Sequence, residues 1–410
     1  MLQTTDIIYF IIIFIQSYFT FFFLILWFEN RGNNGKGKPI KTRELPSVSI
    51  LIPAFNEEQV IGKVLENIKS INYPKNKFQV IVIDDGSKDK TYEIAKMHES
   101  KNIRILTKKN TGKASSLNYG LRFVKTEFIA VMDADTFLDK NALRNCMKYF
   151  DEKNVAAVTS HILVKRKQKI WEKIQNIDQM LVSINRKAQE KLNLINATPG
   201  PLSVYKTKVL LDVGKFDDKN LVEDVEIAWR LLKNGYKIKM AFDAMVYSIY
   251  PDNFRTWWKQ RVRWYIGGVQ TFLKYVDCFF RREYFSVGCF LIPTSFLNYL
   301  FTFITIGIFF YLSLNWLNAN IFFFINSYSL GVNPMNRMDF SFIIDLRFVY
   351  GLMMFALSLF LLKLALSAHK EKPHFFDIIL FMIVYAVLFP LINLYSLYKY
   401  SRNERGWLTK

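Results

Sequence analysis

The chain has 410 residues, 51% of them hydrophobic and 16% aromatic, which excludes intrinsic disorder, a state of few aromatics and little burial. Lys and Arg outnumber Asp and Glu by 55 to 35, a net charge of +20, and a surplus that large points to nucleic acid, an acidic membrane surface or a phosphorylated substrate. Three scattered cysteines, Cys146, Cys278 and Cys289, exclude a disulfide framework and a Cys-based zinc site.

Ile7–Phe28 carries no charge and is long enough to cross a hydrocarbon core of roughly 30 Å at about 1.5 Å per residue. The chain starts MLQTTD and has no A-x-A site after the apolar run, so the segment reads as a retained anchor and not as a signal peptide. Arg31, Lys36, Lys38, Lys41 and Arg43 follow. By the positive-inside rule they stay cytosolic and put the next domain in the cytosol.

From Ser47 the pattern changes. Val48–Ile52, Phe78–Ile83, Ile103–Leu106 and Phe128–Met132 are short apolar runs, with helical patterns at Glu57–Ser70, Lys90–Glu99 and Ser115–Phe123 between them. Alternating strands and helices of this kind predict an α/β domain with a mostly parallel sheet. Ligands bind beyond the carboxyl ends of such strands, where this chain places Pro53–Glu58, Asp84-Asp85 and Asp133/Asp135. Each acid has a plain alternative as a turn residue or helix cap; their convergence on one edge favours a site. Two carboxylates one residue apart suit Mg²⁺ or Mn²⁺, whose shell is completed by water and phosphate oxygens. No Gly-x-Gly-x-x-Gly or Gly-Lys-Ser/Thr loop is present, which disfavours a dinucleotide oxidoreductase or P-loop ATPase. A nucleoside diphosphate with its metal fits better.

Glu223-Asp224 opens an amphipathic helix over Leu221–Leu232. Acids there are favoured by the helix dipole, or one of them is a general base. Asn253–Phe280 mixes Arg and Lys with Trp and Phe at helical spacing, the pattern of a helix lying in a membrane interface, although a buried helix of the soluble domain fits too. Gln260, Arg263 and Trp264 share one face of it, offering a cation for a departing diphosphate and a ring for stacking on sugar.

Beyond it, Tyr284–Trp316, Phe348–Leu362 with its flanks, and Ile378–Tyr398 are span candidates. Three spans would put the basic tail (Lys399, Arg402, Arg405, Lys410) outside, against the charge rule. Either the segment around Pro390 is re-entrant or interfacial, the favoured expectation, or Tyr284–Ile325 crosses twice. The expected domains are an N-terminal anchor (1–30), a cytosolic catalytic domain (31–250), an interface-helix region (251–283) and a C-terminal membrane region (284–410).

PAFNEE (Pro53–Glu58), DDGS (Asp84–Ser87), NTGKASSLN (Asn110–Asn118), DAD (Asp133–Asp135), PGPLSVYK (Pro199–Lys206), Glu223-Asp224 and QRVRW (Gln260–Trp264) together resemble the membrane-bound family-2 inverting glycosyltransferases: poly-N-acetylglucosamine, hyaluronan, chitin and cellulose synthases. The resemblance implies a Rossmann-like, GT-A type nucleotide-sugar-binding domain flanked by transmembrane helices. It implies that Ala54, Asn56 and Glu57 line the nucleoside pocket, that Asp84 and Asp85 hold uracil and ribose, and that Lys113 approaches the nucleotide. Asp133 and Asp135 would serve the diphosphate and its Mg²⁺ or Mn²⁺. Glu223 and Asp224 would be the catalytic acids, Asp224 the base, and Gln260, Arg263, Trp264 and Gly200 would border the acceptor and diphosphate. Thr198-Pro199-Gly200-Pro201 departs from the family, where Ser-Gly is common.

The implied activity is transfer of a sugar from a UDP-sugar, by default UDP-N-acetylglucosamine, to a growing β-linked polysaccharide at the cell membrane by a multi-pass enzyme. One alternative is a single transfer to a lipid acceptor such as a polyprenyl phosphate or glycolipid; another is a non-catalytic transport or scaffold subunit. An accessory membrane subunit is compatible with each. No nucleic-acid partner is expected: lipid headgroups or donor phosphates explain Lys165–Lys169 with Trp171 more economically.

Overall fold

The computed structural model describes residues 4–30, 44–330 and 346–402. The basic residues 31–43 that set the expected orientation, and Arg405 and Lys410 of the tail, lie outside the described residues. The chain divides into two compact units, one of residues 25–294 with 372–410 and one of residues 1–24 with 295–371.

In chain order the elements begin with α1 (Thr4–Asn30), β1 (Val48–Ala54), α2 (Ile61–Lys69), β2 (Phe78–Asp84), α3 (Thr91–Lys96), β3 (Ile103–Thr107), α4 (Lys113–Leu121) and β4 (Phe128–Val131). There follow β5 (Thr136–Leu138), α5 (Ala142–Met147), β6 (Val155–Val164), α6 (Ile170–Glu190), β7 (Ser203–Lys206), α7 (Thr207–Asp212), α8 (Glu223–Lys233) and β8 (Lys237–Ser248). The last helices are α9 (Phe254–Lys274), α10 (Ile292–Ser329), α11 (Leu346–His369) and α12 (Phe375–Ser401).

The larger unit is built on one sheet with strand order β3-β2-β1-β4-β7-β6-β8-β5. The first four of these run parallel, as does the β6–β8 pair. β7 is antiparallel to both β4 and β6, and β5 is antiparallel to β8. Strand β1 is buried along almost its whole length because helices cover both faces, which is why its sequence is continuously apolar and not alternating. Alternate residues feed separate cores: Ile50 and Ile52 meet α2 and α5 residues such as Val64, Leu65 and Met147, while Leu51 joins Leu117 of α4 and Ile227 and Leu231 of α8. The register pairs Ala54 with Asp84 and Asp84 with Thr107. The three strand ends therefore reach one edge together.

Helix α9 is held on both sides. Trp257, Val262 and Ile266 are buried in a cluster with Leu221 and with Ile392 of α12. Asp178 of α6 pairs with Arg261 of α9 at 2.6 Å. Ile378–Tyr398 was expected to be re-entrant or interfacial; α12 runs unbroken through Pro390, which fits an interfacial helix or a span and not a re-entrant turn. A proline removes one backbone hydrogen bond and kinks or breaks most helices, but here apolar packing on α9 outweighs that loss. Likewise Tyr284–Ile325 does not cross twice: α10 is a single helix of 38 residues.

The smaller unit contains α1 up to Leu24, α10 from Ser295, and α11. The Phe10 and Tyr350 rings lie 5.2 Å apart and the Ser17 hydroxyl donates to Met354 Sδ, while Phe309, Phe310 and Phe322 point outward, more than half exposed. Rings facing outward along a helix suit lipid and not water. Among the described residues four helices, within Ile7–Glu29, Arg282–Phe323, Val349–His369 and Phe375–Ser401, are long and apolar enough to cross a membrane.

Candidate active site

The nucleotide-side loops are tied to one another by their own polar groups. Ala54 C=O accepts from the Asp85 N–H at 2.8 Å. Asn56 has φ 56°, a left-handed conformation that Asn tolerates better than most residues. Its N–H donates to Ser87 Oγ and its Oδ1 accepts from the Lys88 N–H, at 3.0 and 2.9 Å, while the Glu57 N–H donates to Thr91 Oγ1 at 2.7 Å. Asp84 accepts from the Ser87 N–H and Thr107 Oγ1. Asp85 accepts from Lys108 Nζ at 2.6 Å and from the N–H groups of Thr111 and Gly112 at 3.1 and 2.8 Å. The buried Asp84 and Asp85 thus hold the turn at Ser87 and the loop that leads into α4.

Lys113, the first residue of α4, joins the two acidic clusters. Its ammonium lies 2.6 Å from Asp133 Oδ1 and 3.0 Å from Glu223 Oε1. Burial alone would push its proton off, but Asp133, Glu223 and Asp224 outweigh that effect and hold Lys113 above its usual range. Asp224 is pushed up to about 6, first by burial and then by Glu223, against the pull of Lys113 and Arg263. Its backbone C=O accepts from Thr198 N–H and Oγ1 at 3.0 and 2.8 Å, tying the Thr198–Pro201 loop to the acidic pair. Gly200 lies against this pair of charges: a Cβ there would be 2.5 Å from both Lys113 Nζ and Asp133 Oδ2. Its C=O accepts from the Asp133 N–H at 2.9 Å.

Asp135 stands beyond Asp133, its Oδ1 accepting from Ser248 Oγ at 3.2 Å. Among the described residues no group of three or more His, Cys, Asp or Glu could hold a metal ion. Asp133 and Asp135 supply two hard carboxylates, the number Mg²⁺ commonly takes from protein when phosphate and water complete its shell. The donor set fits.

On α9, Arg263 Nη1 reaches Leu221 C=O at 3.4 Å and its charge acts on Asp224. The Gln260 amide oxygen is buried without a protein partner. One face of Trp264 is covered, since the Arg261 guanidinium lies 4.6 Å from its ring. Arg263 therefore joins the Asp224 cluster, whereas Asp84 meets Ser87 and Thr107 and Asp85 meets Lys108 and the 111–112 backbone.

Three groups that organise the site have no assignment from the sequence reading. Arg261 and Asp178 fix Trp264; Arg261 sits inside the QRVRW stretch, three residues from Trp264, and that spacing was its available signal. Glu226 is fully buried, bonded to Lys274 at 2.6 Å, to Tyr275 Oη at 2.8 Å and to Arg230. It locks α8 to the end of α9.

Residues 49–214 match the family described as Glycosyl transferase family 2. The matched range contains Ala54 through Gly200 and ends before Glu223. The chain is 32% identical over 250 residues to the poly-beta-1,6-N-acetyl-D-glucosamine synthase of Staphylococcus aureus strain COL, an alignment covering 60% of each protein. It is 31% identical over 238 residues to the synthase of the same name from Staphylococcus epidermidis, covering 57% of each. The alignment thus spans about 60% of the length of the curated relatives. Among solved structures, the mannosyltransferase PcManGT of Pyrobaculum calidifontis, in complex with GDP-Man and Mn²⁺, superposes with a TM-score of 0.58 at 20% identity, covering 87% of this chain and 97% of that one. The larger unit has the GT-A type fold, with a mixed, mostly parallel sheet.

Proposed function

We propose that this chain is a multi-pass membrane enzyme that transfers N-acetylglucosamine from UDP-N-acetylglucosamine to a hydroxyl of a growing β-linked polysaccharide, with its catalytic domain in the cytosol. The observation that carries the reading is the Lys113 bridge between Asp133 and Glu223 beside an Asp224 pushed up to about 6. A carboxylate of that pKa is ionised at neutral pH and is a stronger base than an ordinary Asp. The synthases of Staphylococcus aureus and Staphylococcus epidermidis support the choice of sugar and polymer.

In this mechanism Ala54, Asn56, Glu57, Asp84 and Asp85 form the nucleoside side of the pocket. Asp224 takes the proton of the acceptor hydroxyl as that oxygen attacks the anomeric carbon from the face opposite UDP. The bond to the UDP oxygen breaks, UDP leaves with the electron pair, and configuration inverts. Lys113 and Arg263 offset the charge gathering on the diphosphate. A divalent cation held by Asp133 and Asp135 supplies further neutralisation of that charge. Gln260, Trp264 and Gly200 border the acceptor.

The test is UDP release by the detergent-purified chain across a panel of nucleotide sugars, followed by sizing of the labelled product. Release with UDP-N-acetylglucosamine, lost with a chelator and restored by Mn²⁺ or Mg²⁺, with product of polymer size, is expected. Product found only as a lipid-extractable monoglycoside would refute the polymer assignment; no release with any donor would refute the enzyme.

A further inference from the structure

Residues 213–217 form a loop between α7 and α8, and three helices reach into it. Gly214 and Lys215, both exposed, turn through φ 100° and 64°. Arg230 Nη1 of α8 donates to the carbonyls of Val213 and Lys215 at 3.0 and 2.8 Å. Asn118 of α4 takes the backbone of Phe216 at both groups. Its Nδ2 donates to Phe216 C=O at 2.8 Å and its Oδ1 accepts from Phe216 N–H at 3.1 Å. Lys274 of α9 holds Asp217 at 2.6 Å. Water could satisfy the backbone of an exposed loop; side chains do so here, and they tie the loop to the helices and the helices to one another.

The same three helices carry the charged cluster: Lys113 on α4, Glu223 and Asp224 on α8, and Arg263 on α9. Helix α4 grips segment 216–223 at both ends, through Asn118 at Phe216 and through Lys113 at Glu223. The two grips are five residues, about 7.5 Å of helix, apart. Phe216 is buried against the Tyr205 ring, so its end of the segment has a fixed seat. A diphosphate arriving at Lys113 competes with Glu223 for the ammonium, and Asn118 is then the tie that keeps α4 in register with the acidic pair.

We propose that Asn118 and Arg230 are positioning residues: acting through the 213–217 loop, they hold Lys113 at the distance from Glu223 and Asp224 that donor binding needs. The inference rests on the function proposed above and extends it to residues that act through other groups. The planar fork of Arg230 suits the task. Its Nε and Nη2 bond the Glu226 carboxylate, which leaves Nη1 for the two carbonyls. A side chain that only stabilises the fold lowers the melting temperature and leaves each folded molecule its full affinity. A positioning residue changes affinity as well, and that change disappears once the group it positions is gone.

The experiment measures UDP affinity and melting temperature of the full chain in detergent. The proteins are the natural chain, Asn118→Ala, Asn118→Asp, Arg230→Lys, Lys113→Met, and Lys113→Met combined with Asn118→Ala or Arg230→Lys. Asn118→Ala and Arg230→Lys should each weaken UDP binding about fivefold to tenfold. Asn118→Asp keeps the acceptor for Phe216 N–H but sets a carboxylate against the Phe216 carbonyl, and should lose at least as much. With Lys113→Met already present, Asn118→Ala or Arg230→Lys should change UDP affinity by less than about twofold. Unchanged UDP affinity in the folded Asn118 and Arg230 variants, or equal losses with and without Lys113, overturns the proposal alone. A natural chain that binds no UDP overturns the underlying function, and the proposal with it.

Discussion

Gly267 and Val222 meet so closely that a Cβ at position 267 would lie 2.5 Å from Val222 Cγ2. Val222 directly precedes Glu223 and Asp224, so this contact sets the distance between the helix bearing Arg263 and the acidic pair. Gly267→Ala should push α9 outward, at a cost of about 1–3 kcal/mol for the overpacked seam. A lower melting temperature together with a fall in kcat is expected; unchanged kcat would mean that the seam does not position the site.

Gly200→Ala acts differently. Its Cβ would displace Asp133 and Lys113, charged side chains that keep 29% and 20% of their surface exposed and can shift further than packed core. Stability should move by less than about 1 kcal/mol, while donor affinity and turnover both drop. UDP titrations of the two proteins check this, and equal affinity would contradict it.

The acidity of Asp224 gives a pH profile. As the base it must be ionised, so kcat should fall about tenfold per pH unit below about pH 6 and level off above. Asp224→Asn should lose about 10²–10⁴ in rate. The sign for stability is opposite. A carboxyl whose folded pKa is raised by burial favours folding only in its protonated form, and that contribution is lost as pH climbs from the ordinary value of 3.8 through about 6. At neutral pH the Asn variant should therefore melt no lower than the natural chain.

Arg261 has a structural partner and an aromatic one, Asp178 and Trp264. Arg261→Ala leaves the Asp178 carboxylate buried without its cation, a loss of about 3–5 kcal/mol. Arg261→Lys should not restore the protein, since an ammonium lacks the planar fork that serves Asp178, Tyr385 and the Trp264 ring together. Thermal melts of both variants decide the matter.

The first half of the sheet was legible because β1, β2 and β4 are continuous β-branched or apolar runs, each ending in residues that suit a turn. The second half was not. β7 is four residues long and runs against its neighbours, which no alternation of strand and helix announces. α6 escaped for a different reason: beside Ile174, Ile177, Met180 and Ile184 it buries Gln175, Asn176, Asp178, Gln179, Ser183 and Arg186, so polar residues widen the buried face far beyond the apolar stripe that a packed helix shows. At the site, the acids were readable from strand ends, but the Lys113 bridge depends on α4 and α8 meeting across the sheet, and 110 residues of chain separate Lys113 from Glu223. The helical part of Glu57–Ser70 begins only at Ile61, because the preceding residues are held in a turn by Ser87, Thr91 and Asp89.

The insertion of β7 between β4 and β6 has a consequence for biogenesis. A nascent chain released from the ribosome only as far as Val131 holds three β–α repeats and an open edge at β4, a template for unwanted strand addition. That edge is covered only after some seventy further residues emerge, and contacts over such separations form slowly. Chaperone or membrane-surface protection during this interval should matter more for yield than the intrinsic stability of the finished protein.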